Sequence, residues 1–217
     1  MTTYSALGAG ELHVWWSSCE AAPSTAVHLL SDEELGRLAR FHFESDRQSY
    51  AASHAMLRLL LARYGSVDAR ADFSTGIYGK PFLPGPIQFN LSHTRGLVAC
   101  AFSSSAPVGV DVETLRRPND WGRLVAHIQS DEEAEVLRAL PESARQREFY
   151  ASWTLKEAWS KATGAGLHAD FKTLNVLQVP PPLFLTSIDT IADFQMAVAC
   201  LRQPSRLVSR RFEWDWH

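Results

Sequence analysis

Two carboxylates stand two residues apart in the segment VGVDVE, at Asp111 and Glu113. If this segment is a β-strand, alternate side chains point the same way, so both carboxylates project from one face and the valines from the other. Two such charges repel each other, and burial would strengthen the repulsion unless a cation lay between them. Oxygen ligands of this kind suit a hard ion such as Mg²⁺. The pair is therefore a candidate metal site, and an acidic strand face exposed to solvent is the alternative.

A third carboxylate, Glu157, lies in the segment WTLKEAWSKATGAGL, which begins at Trp153. A helix would place Trp153, Glu157 and Lys161 on one stripe, turn above turn. A glutamate and a lysine four residues apart also form an ordinary surface ion pair. The functional alternative is that Glu157 completes a site of three carboxylates, while Lys161 binds a phosphate or stabilises developing negative charge.

A third segment, YGKPFLPGPIQFNLSHTRG, has side chains that could bind phosphate. A glycine and a proline around Lys80 form a turn that presents one cation. Ser92 and His93 end an apolar strand ahead of a glycine-containing turn, so a hydroxyl, an imidazole and strand-end amides come together there. An ordinary structural histidine is the alternative for His93. No GxSxG nucleophile elbow is present, so hydrolysis by a Ser-His-Asp triad fits poorly.

Arginine supplies most of the positive charge, because the chain contains only four lysines. Five arginines occupy one N-terminal stretch: Arg37, Arg40, Arg47, Arg58 and Arg63. Such a cluster could bind an anion or could form a solvated helix face.

Composition limits the class of protein. The 217 residues are 46% hydrophobic and 21% charged, with a formal net charge of −3, which is typical of a globular protein and argues against a broad nucleic-acid surface. The three cysteines are far apart and lack metal-ligand spacing, so we expect free, buried thiols in a reducing cytosol. No apolar stretch approaches the ~20 residues that span a bilayer. We therefore expect a cytoplasmic protein that binds neither membrane nor nucleic acid.

The elements that must position these groups begin with clear helix signals. Two capping boxes, each a serine with a glutamate three residues later, mark helix starts at Ser31 with Glu34 and at Ser130 with Glu133. Together with two longer amphipathic patterns, they predict helices over residues 31–41, 45–65, 130–140 and 143–164.

Short apolar or alternating segments bounded by Gly and Pro predict the strands. They are LHVWW, FSTGIYGKPFLP, IQFNLSH, LVACAFSS, VGVDVE, VLQV, FQMAVACL and RLVSRRFEW, and the glycines and prolines within them predict tight turns. The order strand, helix, helix, strands occurs twice, and the halves divide near Ala106 and Pro107. We therefore expect an α+β fold made of a pseudo-symmetric pair of similar halves, residues 1–106 and 107–217, each a small, mostly antiparallel sheet packed against helices. The second half carries the candidate metal-binding acids.

The segments GKPFL…FNLSHT, GVDVE and WTLKEAWSKATGAGL, in this order, resemble the three motifs of the surfactin-type 4′-phosphopantetheinyl transferase family. The resemblance covers about residues 35 to 200. It implies coenzyme A and Mg²⁺ bound between two α+β halves, and transfer of the phosphopantetheine arm to a serine of an apo acyl, peptidyl or polyketide carrier protein, with release of adenosine 3′,5′-bisphosphate. It also implies a monomer.

The resemblance assigns the reacting centre to four residues. Asp111, Glu113 and Glu157 would hold Mg²⁺ against the diphosphate of coenzyme A. Glu157 would also take the serine proton, directly or through water, and Lys161 would contact the diphosphate as its bond breaks.

The resemblance assigns six further residues to coenzyme A. They are Arg37, Arg40, Arg58, Lys80, Ser92 and His93, the three arginines near the 3′-phosphate and the others at the nucleotide end and the phosphates. Two other classes of protein remain open: a Mg²⁺-dependent phosphohydrolase or nucleotidyl transferase built from the same acids, and a catalytically silent module that binds carriers.

Overall fold

The structure, a computed structural model, describes residues 6–65, 71–76, 79–116, 121–166, 169–189 and 191–214. The strands are β1 (Glu11–Ser18), β2 (Ser74–Thr75), β3 (Pro81–Phe82), β4 (Gln88–Thr94), β5 (Leu97–Ser103), β6 (Val108–Thr114), β7 (Phe184–Ile188), β8 (Phe194–Cys200) and β9 (Arg206–Arg211). The α-helices are α1 (Asp32–Leu38), α2 (Glu44–Arg63), α3 (Trp121–Ile128), α4 (Asp131–Ala139) and α5 (Glu142–Thr163), and two 3₁₀ helices span Cys19–Ala21 and Ser24–Leu29.

The first half packs α2 against a four-stranded sheet with the order β4-β5-β1-β9. Helix α1 begins with the predicted capping box, because Ser31 Oγ accepts from Glu34 N and Glu34 Oε2 accepts from Ser31 N. The apolar face of α2 and side chains of β1 and β5 form a buried cluster that includes Trp15, Leu60 and Phe102. This core holds the strand end with Ser92 and His93 in place.

The second half packs α5 against a three-stranded sheet with the order β6-β8-β7. Small residues fill the contact: Ala158 and Ala162 of α5 are buried against Ala197 and Ala199 of β8. The strands of the first sheet are mostly antiparallel and those of the second are all antiparallel, and each half has one long helix. This confirms the predicted α+β class and its two-half arrangement.

The last strand leaves the second half. β9 lies parallel to β1, with Glu11 opposite Arg206 and Trp16 opposite Arg211. The predicted second half, residues 107–217, therefore includes a strand that completes the sheet of the first half.

The strand predicted for VLQV is wrong, because residues 175–178 form turns that bond to α4. Val176 N donates to Glu133 Oε1, and the side chains of Asn175 and Gln178 both donate to Glu132 Oε2. Side-chain acceptors on α4 thus take the place of a neighbouring strand. The third strand of this sheet is β7 instead.

Side chains join the two sheets where β4 and β6 meet. Asn90 Oδ1 accepts from the backbone N–H of Val110 at 2.9 Å, and Ser92 Oγ donates to Asp111 Oδ1 at 3.0 Å. The predicted free thiols, Cys19, Cys100 and Cys200, are all buried and unbridged. Among the helices of the described ranges, none combines the length and apolar character that would let it cross a bilayer.

Candidate active site

Asp111 lies at the junction of the halves, in the middle of β6, with 4% of its surface exposed. Its Oδ1 accepts from Lys161 Nζ at 2.6 Å and from Ser92 Oγ at 3.0 Å. Lys161 Nζ also donates to Ser92 Oγ at 3.0 Å, so the three side chains form a closed triangle. One residue from each predicted motif is therefore in direct contact with the other two.

Glu157 lies one turn before Lys161 on α5 and is also buried. Loss of solvation, together with the negative charge of Asp111, raises the pKa of the Glu157 carboxyl, and the ammonium of Lys161 partly opposes this rise. Glu113 follows Asp111 on the same face of β6 and is partly buried. A concentration of negative charge in a site of low solvation favours a bound cation.

The arrangement of the three carboxylates agrees only in part with the predicted metal site. Within the residues that the structure describes, no group of three His, Cys, Asp or Glu side chains is arranged to hold one metal ion. The chemistry still fits a hard cation, because Asp111 Oδ2 is a buried acceptor without a hydrogen-bond donor among the described residues, and the neighbouring acids supply oxygen atoms. The ligand set Asp111, Glu113 and Glu157 stays a prediction.

A cavity of about 560 Å³ opens beside this triangle. Among its lining side chains, several can donate hydrogen bonds to a ligand, including those of Arg37, His54, Arg58, Ser92, His93 and Lys161. Lys161 comes from the second half and the others from the first. Such a lining suits an anionic ligand that bridges the two halves.

His93 lies where this cavity meets a second one. Solvent reaches its ring through the cavities, but the protein packed around it reduces its solvation. This loss, with electrostatic repulsion from His54 and Lys161, lowers the pKa of His93 to about 4. The imidazole is therefore neutral near pH 7 and can donate or accept one hydrogen bond at each nitrogen.

Glu34 organises the far wall of the cavity. Its Oε2 accepts from Arg58 Nε at 2.6 Å and its Oε1 accepts from His54 Nδ1 at 2.6 Å. Burial alone would raise the pKa of Glu34, but these hydrogen bonds and charges hold it down at about 2. Arg58 is also stacked over the ring of Phe73, with 4.5 Å between its Cζ and the ring centroid. Its guanidinium is thus fixed in direction.

The sequence reasoning identified Arg58 but missed Glu34 and His54 as parts of this wall. Their signal was local: His54 and Arg58 stand four residues apart on α2 and so share a face, and Glu34 is the capping glutamate of α1. The sequence did not show that α1 packs against α2, and this contact is what brings Glu34 to His54 and Arg58.

The other predicted coenzyme A residues divide into two groups. Arg37 lines the cavity, as its role requires. Arg40 does not: it follows α1, its side chain is exposed, and its Nε donates to Gly36 O. Lys80 also lies outside this cavity: its Nζ donates to the backbone carbonyls of Val108 at 2.8 Å and of Lys161 at 2.7 Å.

A second cavity, of about 880 Å³, shares Phe41 and His93 with the first. Arg95, Arg116 and Phe194 lie on its wall, so it has both cationic and apolar groups. The carboxylate of Asp193 accepts from the guanidinium of Arg116. The site therefore has two adjoining spaces that meet at His93.

A buried ion pair supports α5 behind the site. Lys156 Nζ lies 2.6 Å from Glu133 Oε2 and donates to Phe171 O at 2.7 Å. Burial lowers the pKa of Lys156, and Glu133 opposes this effect. Of the charges in the KEAWSK segment, Lys156 therefore has a structural place, whereas Glu157 and Lys161 face the site.

Comparisons with known proteins cover nearly the whole chain. The family model described as the 4′-phosphopantetheinyl transferase superfamily matches residues 107–199, and the one described as 4′-phosphopantetheinyl transferase, N-terminal, matches residues 14–105. The 4′-phosphopantetheinyl transferase HetI of Nostoc sp. is 35% identical over 72% of this chain and 70% of its own length. The 4′-phosphopantetheinyl transferase pptA of Paxillus involutus is 31% identical over 69% of this chain and 65% of its own length. The 4′-phosphopantetheinyl transferase Sfp of Bacillus subtilis is 27% identical over 82% of this chain and 84% of its own length.

Proposed function

Because this chain belongs to the 4′-phosphopantetheinyl transferase superfamily, we propose that it transfers the phosphopantetheine arm of coenzyme A to a serine hydroxyl of an apo carrier protein. The other product is adenosine 3′,5′-bisphosphate. The observation that carries the proposal is the triangle of Asp111, Lys161 and Ser92, which joins both halves beside a cavity lined by cations.

The first cavity suits the nucleotide part of coenzyme A. Arg58, held by Glu34, and Arg37 offer guanidinium groups to a phosphate, and a planar guanidinium binds phosphate oxygens in pairs. Ser92, His93 and Lys161 line the side of the cavity nearest to Asp111, where the diphosphate would lie. The carrier serine would then approach from the second cavity, which meets the first at His93.

The reaction needs a proton acceptor and stabilisation of the leaving group. The serine oxygen attacks the phosphorus that carries the pantetheine arm, the bond from this phosphorus to the bridging oxygen breaks, and adenosine 3′,5′-bisphosphate leaves with the bond's electron pair. Glu157, in its ionised form, takes the serine proton directly or through a water. Lys161 stabilises the charge that develops on the leaving phosphate, and the cavity walls keep the reactants in line.

Asp111, Glu113 and Glu157 would hold Mg²⁺ against the diphosphate. The ion would supply Lewis-acid stabilisation of the phosphate oxygens. Its positive charge would also favour the ionised form of Glu157, whose pKa burial raises.

The test is intact-mass spectrometry of an apo acyl or peptidyl carrier protein after incubation with this protein, coenzyme A and MgCl₂. We expect a mass gain of one phosphopantetheine arm and no gain in EDTA. Asp111→Ala and Glu157→Gln should each reduce the transfer rate by on the order of 100-fold or more, with an unchanged far-UV circular dichroism spectrum.

Other outcomes would contradict the proposal. Consumption of coenzyme A without carrier modification would indicate a phosphohydrolase. Tight carrier binding with neither modification nor consumption, across several carriers, would indicate a silent binding module. Near-normal transfer by either variant with Mg²⁺ present would remove the assigned roles of the carboxylates.

A further inference from the structure

Lys80 faces away from the cavity that its neighbours line. Gly79 and Pro81 lie on the wall of the first cavity, beside Ser92 and His93. Lys80 instead lines a separate space of about 360 Å³ at the end of α5, together with Ala162 and Gly164. The turn therefore presents Gly79 and Pro81 to the first cavity and its cation to the end of α5.

The ammonium of Lys80 binds two backbone carbonyls from different elements. One belongs to Val108, the first residue of β6, and the other to Lys161, in the last turn of α5. The last carbonyls of a helix lack intrahelical donors and carry the negative end of the helix dipole, so a cation is favourable there. Gly164 N also points to Lys161 O, at 3.3 Å, in the capping turn. Lys80 thus provides the shorter of the two contacts to this carbonyl.

The two bonded backbones carry the reacting groups. β6 holds Asp111, and the carbonyl that Lys80 binds belongs to Lys161 itself. A Cβ added to Gly109, next to Val108, would lie 2.9 Å from the carbonyl carbon of Lys161. The backbones of β6 and α5 are therefore in contact at the point where Lys80 joins them.

We propose that Lys80 is a positioning residue for Lys161, which it holds in register with Asp111 and Ser92 by clamping the end of α5 to the start of β6. This proposal rests on the transfer function proposed above and replaces a direct contact of Lys80 with coenzyme A. Burial is consistent with it, since desolvation lowers the pKa of Lys80 to about 8, as expected for an amine that faces protein more than water.

The test compares Lys80→Met, Lys80→Arg and a control, Lys172→Met, which removes an exposed lysine elsewhere on the second half. Lys80→Met should lower kcat about 10-fold or more, because small displacements of a catalytic group have large effects on rate. The Kd for coenzyme A, from calorimetry, should change less than 3-fold. Lys80→Arg should recover part of kcat, because a guanidinium can donate to both carbonyls, and Lys172→Met should match the unmodified protein.

Amide hydrogen exchange gives a readout that needs no turnover. Lys80→Met should speed exchange in the peptide that contains the end of α5, and leave α2 unchanged. This measurement separates the two proposals: faster exchange at α5 in a protein that transfers nothing would support the clamp and reject the proposed function.

A double-mutant cycle tests whether Lys80 acts through Lys161. In a Lys161→Ala background, Lys80→Met should lower the remaining transfer rate less than 2-fold, because the group it positions is gone.

Three results would overturn the inference: a 10-fold weaker Kd for coenzyme A with unchanged kcat, which would make Lys80 a phosphate ligand; unchanged kcat and exchange; or full additivity with Lys161→Ala. If Lys80→Met does not fold, Lys80→Arg still decides. A reduced kcat at unchanged Kd, with faster hydrogen exchange at the end of α5, supports the clamp, whereas a weaker Kd for coenzyme A at unchanged kcat overturns it.

Discussion

Glu34 shows how one residue sets the charge of a binding wall. It accepts hydrogen bonds from Arg58, from His54 and from the backbone of Ser31. Its negative charge compensates the buried guanidinium of Arg58, which could not otherwise remain away from water. The same carboxylate thus caps a helix and directs a cation toward the cavity.

Replacing this carboxylate should change stability in a pH-dependent way. The folded pKa of Glu34 is about 2, below its ordinary value near 4.5, so its ionised form stabilises the fold above pH 4.5, and this stability is lost as the pH falls toward 2. We expect Glu34→Gln to lower the free energy of unfolding by about 3 kcal/mol at pH 7 and by about 2 kcal/mol less than that at pH 3. Urea unfolding at the two pH values measures the difference.

Glu44→Gln is the matched control. Glu44 pairs with Arg47 on the exposed surface of α2, where ion pairs contribute little. Equal losses for the two variants, or a Glu34→Gln loss that does not shrink in acid, would contradict the role of Glu34.

At the scale of elements, the distance between α5 and β6 is what brings Lys161 to Asp111. Gly109 permits it: an added Cβ would lie 2.0 Å from Ala158 O and 2.5 Å from Ala162 N. These atoms belong to helix backbone and cannot rotate away. Gly109 is needed for the close approach of β6 and α5, and a substitution there would affect the site by displacing α5.

Gly109→Ala should therefore push α5 away from β6. We expect a loss of roughly 1–3 kcal/mol or more in the free energy of unfolding. We also expect a transfer rate lower by about 10-fold or more, because Lys161 and Glu157 move with the helix. Urea unfolding and the carrier-mass assay measure the two effects.

Gly36→Ala is the comparison for this variant. Gly36 lies in α1 with no atom within 4 Å of an added Cβ, so alanine should raise stability by about 0.5–1 kcal/mol through its better helix propensity. A Gly109→Ala protein as stable and as active as the unmodified chain would show that the two elements can separate freely.

Local signals in the sequence were sufficient to predict most helices and strands, but not which residues of different elements would contact each other. The capping boxes at Ser31 and Ser130 both form, because each involves residues within one helical turn. The pairing of Glu133 with Lys156 and the binding of Lys80 to Lys161 O depend on tertiary packing, which no spacing along one element encodes. The motifs accordingly indicated which side chains meet at Asp111, whereas the supporting contacts behind them became visible only in the fold.

At the scale of the whole molecule, the chain returns to the sheet in which it began. β9 pairs with β1, Phe212 N donates to Trp16 O, and Trp214 Nε1 donates to Ser17 Oγ. Along the chain, the strands β6 to β8 of the second half are therefore inserted between two neighbouring strands of the first sheet. We expect the two halves to unfold together, since separating them breaks a sheet.

A charged side chain introduced into β9 tests whether the two halves unfold together. Val208 is 8% exposed, and Val208→Asp would bury a carboxylate, which costs several kcal/mol. We expect a lower urea midpoint with a single transition, in which peptides of both β5 and β8 lose their protection from hydrogen exchange at the same urea concentration.

Ser209→Asp is the control on the same strand. Ser209 is exposed, so its substitution should leave the midpoint nearly unchanged. Loss of protection in β5 ahead of β8 after Val208→Asp would show that the halves are independent.

The position of β9 also governs when the first sheet can be finished during synthesis. β1 leaves the ribosome before every other strand of its sheet, and its parallel neighbour β9 leaves after all of them. Since translation proceeds at about 5–20 residues per second, the side of β1 that β9 covers stays unpaired for roughly 10–40 s. An unpaired strand edge is a template for pairing with other chains, so the nascent chain is prone to misassembly in this interval.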